Sequence, residues 1–395
     1  MARARASGLW AVFSGLLLAG GCTAPVSPQN RPAAAPAPGP AEQAPLVPAT
    51  PPAAVARPAP PSRLWPFIRL YNADYVDVRA VGERYGLKDS WVVRGRIMQL
   101  TDAGGRVRLR FEDRNRDFEF EGIRVFMGSS TAVSLGSLYV SKIDVIKTIV
   151  PLLNPAEHAG QLPAPPHLIV LDAGHGGVDP GAGNPALHLE EKNLTLDVVL
   201  RLRKLLERRG YRVILTRSDD TKLAVAQRAD LEQRAEVATR AKADLFLSVH
   251  FNWASPSVTG AETYVMTPQF QASSGNGKDD VVDKAFPGNR QDYANVVLGY
   301  QLHRDLLTGL KTVDRGDKRG RLLVLSFAEC PAALVEPAFI SNPGEARRLA
   351  TPEFRQQIAE ALANGIDDYA GVLRASHPAA PAPIEIHTGP GAAGH

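Results

Sequence analysis

Four side chains of this 395-residue sequence have the types and spacing for metal-assisted hydrolysis: His175, Glu191, His250 and Glu336. Two imidazoles and a carboxylate make the ligand set of an open zinc site, whose fourth position is left to water. A further carboxylate can take a proton from the attacking water and return it to a departing nitrogen, which is what amide hydrolysis requires. His175 lies in Asp172-Ala-Gly-His-Gly-Gly, where glycines permit a tight turn and leave room around the ring. His250 follows the apolar run Leu245-Phe-Leu-Ser-Val, and Asn252, two positions on, falls on the same face as a candidate substrate contact. Glu191 stands at a helix start in Glu190-Glu191-Lys192-Asn193, where the helix end favours negative charge. Glu190 beside it competes for the same role, and His188 is a weaker substitute. Glu336 ends the apolar run Ala333-Leu-Val, where a carboxylate is costly unless a cation or hydrogen bond compensates. A buried structural ion pair is its alternative reading.

Such residues need a scaffold that delivers them to one crevice. From residue 166 onward, strands and helices alternate: strand 167–171, helix 193–209 ended by Gly210, strand 211–216, helix 227–242, and strands 245–249 and 261–266. Helix 295–310, strand 333–336 and helix 352–369 follow. The pattern predicts an α/β fold, with a mostly parallel sheet covered by helices on both faces over 166–371. Residues just past the strand ends then share a crevice.

The preceding stretch, 63–160, predicts a smaller strand-rich α+β domain. It carries a helix over 77–85, strands at 91–100, 106–111, 118–120 and 123–127, a turn at Asp102-Ala-Gly-Gly and a closing apolar segment over 143–153. Its wording at Tyr75-Val-Asp-Val-Arg-Ala, Gly122-Ile-Arg-Val-Phe and Leu138-Tyr-Val-Ser-Lys-Ile-Asp-Val resembles the non-catalytic copper amine oxidase N-terminal-like domains of envelope proteins, without implying copper.

The termini read as export and tethering. Arg3 and Arg5 precede an apolar run over 9–19, long enough for a signal segment and too short to span a membrane. The run ends Ala19-Gly-Gly-Cys22, which resembles a bacterial lipobox and makes 1–22 a lipoprotein-type signal peptide with Cys22 as the lipidated residue. Thr23 after it resembles outer-membrane sorting, so the expected location is periplasmic, with the chain anchored to the outer membrane. Residues 23–62 are rich in Pro and Ala and read as an extended linker, and 376–395 as a disordered tail. Cys330 is the only other cysteine, so processing of Cys22 leaves no pair for an internal disulfide. A net charge of +4 with no basic block interleaved with aromatics argues against a nucleic-acid groove.

One ordered set of motifs is more specific than any member: Leu171-Asp-Ala-Gly-His-Gly-Gly, Asp179-Pro-Gly-Ala, Glu191-Lys-Asn, Leu215-Thr-Arg, Ala243-Asp-Leu-Phe-Leu-Ser-Val-His-Phe-Asn, Gly260-Ala-Glu-Thr-Tyr and Leu334-Val-Glu-Pro-Ala-Phe-Ile-Ser-Asn. Together they resemble the Amidase_3 family of N-acetylmuramoyl-L-alanine amidases. The resemblance implies a Zn²⁺ hydrolase that cuts peptidoglycan between N-acetylmuramic acid and L-alanine, in wall remodelling or daughter-cell separation. It assigns the metal to His175, Glu191 and His250, choosing Glu191 because the family places its ligand directly before the Lys, and assigns acid/base catalysis to Glu336. Pro337-Ala338 and Ser326 depart from the family pattern. An insertion over 267–292, rich in Gly, Asp, Asn and Ser, is expected to cover the cleft until an activator protein relieves it. A zinc peptidase acting on stem peptides would use the same ligands, and an inactive wall-binding or regulatory module is the non-enzymatic alternative.

Overall fold

The computed structural model describes residues 64–274 and 281–377. The expected signal peptide with Cys22, the linker and the tail beyond residue 377 lie outside the described residues. In chain order come β1 (Ile68–Leu70), β2 (Ala73–Asp77), α1 (Val78–Tyr85), β3 (Lys88–Val93), β4 (Ile97–Thr101), β5 (Val107–Glu112), β6 (Asp117–Phe120), β7 (Ile123–Phe126), β8 (Ala132–Ser134) and β9 (Ser137–Ser141). A helical stretch follows as α2 (Lys142–Asp144), a π-helical segment Val145–Ile149 and α3 (Val150–Leu153). The second half runs β10 (Leu168–Ala173), β11 (Gly183–Asn184), β12 (Leu189–Glu190), α4 (Glu191–Arg208), β13 (Arg212–Leu215), α5 (Gln227–Ala241), β14 (Leu245–Val249) and β15 (Ala261–Met266). It closes with α6 (Asp292–Leu310), β16 (Asp314–Gly320), α7 (Leu323–Phe327), β17 (Ala332–Glu336), α8 (Pro343–Leu349) and α9 (Pro352–Ser376).

The strand expected at 91–100 is a hairpin instead, β3 and β4 turning where Arg96 N donates to Val93 O. Helix α9 runs past the expected 369 because Ala370 and Leu373 continue its buried stripe.

β10 pairs parallel with β13 and β14, and β14 with β17; β15 is antiparallel to β17 and parallel to β16. Side-chain alternation assigns the two faces. Ile169, Leu171 and Ala173 of β10 pack with α4, α6 and α9, whereas Val170 and Phe246 pack with α5 and α7. The mostly parallel sheet covered on both faces is therefore present.

The sheet does not stop at the expected domain boundary. β16 also pairs parallel with β7 through Asp317 and Val125, and β7, β6, β5, β4 and β3 continue the same sheet antiparallel. One core joins Met98, Phe111 and Phe118 to Leu202, Val297 and Leu362. The strand-rich part before residue 160 is thus built onto the catalytic sheet, where it covers what would otherwise be the open edge of β16. β16 itself, Asp-Arg-Gly-Asp-Lys-Arg-Gly, has no apolar alternation, so its sequence carries no strand signal. Asp317 and Arg319 on its inner face are buried, with Arg319 Nη1 3.3 Å from both Asp317 carboxylate oxygens.

The same topology places the described ends of the insertion. Because β15 runs against β17, with Glu262 opposite Glu336 and Val265 opposite Ala333, the chain leaves β15 at the edge remote from Glu336. There Gln271 Nε2 donates to the buried Asp144 at 2.7 Å, and Ser274 N donates to Arg319 O at 2.8 Å. The described residues of 267–292 are fastened at that far edge.

Asp317→Leu leaves the Arg319 guanidinium in the core without its carboxylate; losing one partner of a buried pair costs about 3–5 kcal/mol. Calorimetry is expected to show a single transition over both halves, shifted to lower temperature. Arg319→Leu should cost less, because burial already pushes the Asp317 carboxyl up and it can take a proton.

Candidate active site

Register alone brings the chemistry together. Ala173 pairs with Val249, and Val249 with Val335, so β10, β14 and β17 end side by side at one edge. His175 follows the first tip by two residues, His250 the second by one, and Glu336 ends the third. His250 N donates to Val335 O at 2.9 Å, locking two of the tips together.

Glu191, the first residue of α4, closes the site. Its Oε1 lies 3.1 Å from His175 Nε2 and 3.0 Å from His250 Nδ1, and accepts from Phe251 N at 3.0 Å. Its Oε2 accepts from Ala182 N at 2.8 Å. Burial alone would raise the Glu191 carboxyl; the hydrogen bonds and charges of His175 and His250 outweigh it and hold the group well below the usual carboxylate range. Ligand atoms of His175, Glu191 and His250 all lie within 4.8 Å of one another, a group that can hold a metal ion. The contacts of 3.0 and 3.1 Å are close to the roughly 3.3 Å between neighbouring tetrahedral ligands at zinc bond lengths. Glu190 is exposed and takes a hydrogen bond from Asn193, and His188 is not part of the group.

The turn carrying His175 is shaped for this arrangement. His175 adopts a left-handed φ of 61°, strain that the surrounding contacts must hold. Gly181, at φ 66°, passes so close that a Cβ there would sit 2.6 Å from both Glu191 Oε2 and His175 Cδ2. Asp179 Oδ2 lies 3.1 Å from His175 Nδ1, the nitrogen away from Glu191, within ion-pair range though without hydrogen-bond geometry, so its charge steadies the ring from behind.

Glu336 Oε2 is buried without a hydrogen-bond partner among the described residues. Burial, reinforced by the Glu191 and Glu262 carboxylates, pushes the Glu336 carboxyl well above its ordinary value, with Lys318 opposing. Beside it lies a cluster around buried Glu262. Its Oε1 accepts from Lys318 Nζ at 2.6 Å and Arg315 Nε at 2.8 Å, and its Oε2 from Tyr264 OH at 2.7 Å and Asn252 Nδ2 at 3.0 Å. Asn252, expected to touch substrate, is thus turned onto the protein, with its Oδ1 accepting from Trp253 N.

The model of the family described as N-acetylmuramoyl-L-alanine amidase, Amidase_3, matches residues 169–368, half of the chain. This chain belongs to that amidase family. It is 31% identical to the N-acetylmuramoyl-L-alanine amidase AmiA of Salmonella typhimurium over 51% of the chain and 75% of the relative. It is 32% identical to the protein YqiI of Bacillus subtilis, over 56% of the chain and 91% of the relative. Against a cell wall amidase of Bacillus anthracis it is 31% identical over 51% of the chain, but spans only 35% of that protein's length. The family match begins within β10, so the strand-rich first part of the sheet lies outside it.

Several residues that support this amidase site were not singled out from sequence. Arg234 donates to Ala173 O and His175 O, both at 2.7 Å, and Arg217 donates to Ala173 O at 2.9 Å and Gly174 O at 2.8 Å. The turn therefore hangs on two guanidinium groups. Buried Asp172 answers Arg234 at 2.8 Å, and accepts from Thr216 and Ser248, both at 2.6 Å. Leu215-Thr-Arg is among the family motifs and marked Arg217, whereas nothing in the polar α5 sequence distinguishes Arg234. Ser326 is buried on α7 with Oγ 3.6 Å from Met266 Sδ, at the far edge of the sheet. Cys330 is buried, and burial pushes its thiol up to about 12, which excludes it as a nucleophile near neutral pH.

Asp179→Ala removes the group that orients His175. Loss of such a partner lowers metal affinity about 10- to 100-fold, which a chelator competition measures, while the melting temperature of the metal-free protein stays close to the parent.

Proposed function

We propose that the chain is a zinc-dependent N-acetylmuramoyl-L-alanine amidase of the bacterial envelope that cleaves the bond between N-acetylmuramic acid and L-alanine in peptidoglycan. The observation that carries this reading is the convergence of His175, Glu191 and His250 beside the carboxyl of Glu336, whose Oε2 has no hydrogen-bond partner among the described residues, in a chain of this family. His175, Glu191 and His250 would hold Zn²⁺, which when bound supplies the Lewis acidity that makes water nucleophilic near neutral pH. Glu336 accepts a proton from the attacking water as the new C–O bond forms on the lactyl carbonyl. It then delivers that proton to the amide nitrogen as the C–N bond breaks, releasing a stem peptide with a free amino terminus. The raised proton affinity of Glu336 suits a group that must hold the proton between the two transfers.

The N-terminal features support export and anchoring: a signal-type apolar run, Cys22 in a lipobox-like setting and a Pro/Ala-rich stretch that gives the enzyme reach into the wall from the outer membrane, for remodelling or daughter-cell separation. Cys22→Ser is expected to abolish labelling by a fatty-acid probe and shift the chain from the membrane to the soluble envelope fraction. Labelling that persists removes the anchor from this reading.

Glu336→Ala is expected to retain zinc by metal analysis and lose about 10²–10⁴-fold in turnover, the range supplied by a positioned acid/base. His175→Ala should lose both metal and activity. Digestion of purified sacculi should release intact stem peptides with free N-terminal alanine, identified by mass. Shortened stem peptides would instead assign a peptidase and overturn the proposal.

A further inference from the structure

Arg315 and Lys318 are three residues apart on β16, and a regular strand would point them to opposite faces. Both nevertheless reach Glu262 Oε1, at 2.8 and 2.6 Å. The register explains it: Ala261 pairs with Asp314 but Thr263 with Asp317, so β16 holds one extra residue opposite β15, with Gly316 at φ 102°. Bulges of this kind re-aim a side chain and are common beside active sites. Here the side chain re-aimed is Arg315.

Its guanidinium is held from three sides. The aliphatic stem lies over Gly260, where a Cβ would sit 2.9 Å from Arg315 Cγ. Nε is fixed on Glu262, itself buried and paired across the sheet with Glu336. The plane covers the ring of Phe339, 5.1 Å from its centroid, three residues after Glu336 in the chain. Nη1 and Nη2 have no hydrogen-bond partner among the described residues, and the side chain remains about one-third exposed. Lys318 suffices as a salt-bridge partner for Glu262, so a second cation held this way, with its terminal nitrogens free, is more than charge compensation needs. A planar fork with two parallel N–H donors matches a carboxylate.

We propose that Arg315 is a specificity residue that binds a carboxylate of the stem peptide. Two strand spacings, about 10 Å, separate the backbones of β16 and β17. An extended peptide covers that distance in about three residues. The carboxylate therefore belongs to a residue within about three of the scissile amide. The inference takes the ligand's chemical class from the amidase reading, and its test is a binding measurement that does not depend on turnover.

In the full-length, zinc-loaded Glu336→Gln chain, calorimetry compares two muramyl peptides that differ only in having a free carboxylate or a carboxamide on a residue within that span. The carboxylate form is expected to bind more tightly. Adding Arg315→Gln should weaken it about 10- to 100-fold, the range for a hydrogen bond to a charged group, and leave the carboxamide form unchanged. Arg315→Lys, which keeps the charge beside Glu262 but loses the fork, should give a smaller loss confined to the carboxylate form and keeps the test available should Arg315→Gln not fold. Equal binding of the two peptides, equal losses for both on substitution, or no binding of either would overturn the proposal. Carboxylate discrimination without amide cleavage by the Glu336 form would leave this inference standing and bring down the amidase reading alone.

Discussion

Three parallel strands ending in register are the constraint on which everything else rests. β10, β14 and β17 are hydrogen-bonded neighbours, and their last residues pair, so the side chains just beyond them cannot avoid one another. A helix must then return to the same edge to complete the His175, Glu191 and His250 group that can hold a metal ion. Glu191 does so as the first residue of α4, where both its oxygens also accept backbone hydrogen bonds. A carboxylate so fully bound is rigid, and rigidity is what an open three-ligand metal site asks of its protein.

The turn that carries His175 is the least comfortable part of this edge. It places a non-glycine residue in the left-handed region and leaves three successive carbonyls, those of Ala173, Gly174 and His175, without strand partners of their own. Arg217, Arg234 and Thr195 take those carbonyls. Buried Asp172 then balances Arg234, while Asp230 holds it from the helix side at 2.8 Å. Burying this much charge is costly unless every group is paired, and here the partners are present.

On the other flank, β15 and β16 do two jobs. Their inner face, with Asp317 and Arg319, carries the sheet into the strand-rich first part of the chain; their outer face gathers Glu262, Tyr264, Arg315 and Lys318 beside Glu336. The antiparallel direction of β15 separates the edges. Chemistry sits where β15 begins, whereas the described residues of 267–292 are fastened where it ends, Gln271 on Asp144 and Ser274 on Arg319.

The sequence by itself determined the types of the site side chains, their order and the elements that bear them, because period-2 and period-3.6 patterns record which face of a strand or helix is buried. It therefore marked His175, His250 and Glu336 at strand ends. Between Glu190 and Glu191, family resemblance chose; the tertiary structure shows why, since only the residue that begins α4 faces inward to both imidazoles. Tertiary structure alone decided that β16 is a strand, since a run of charges becomes interior only when Asp317 and Arg319 find each other and α6 packs over them. It alone placed Arg234 under His175, 59 residues away, and turned Arg315 onto the face of Lys318 through a bulge. Local patterns encode burial, whereas the pairing of buried charges and the slip of one residue in a ladder depend on partners distant in the chain.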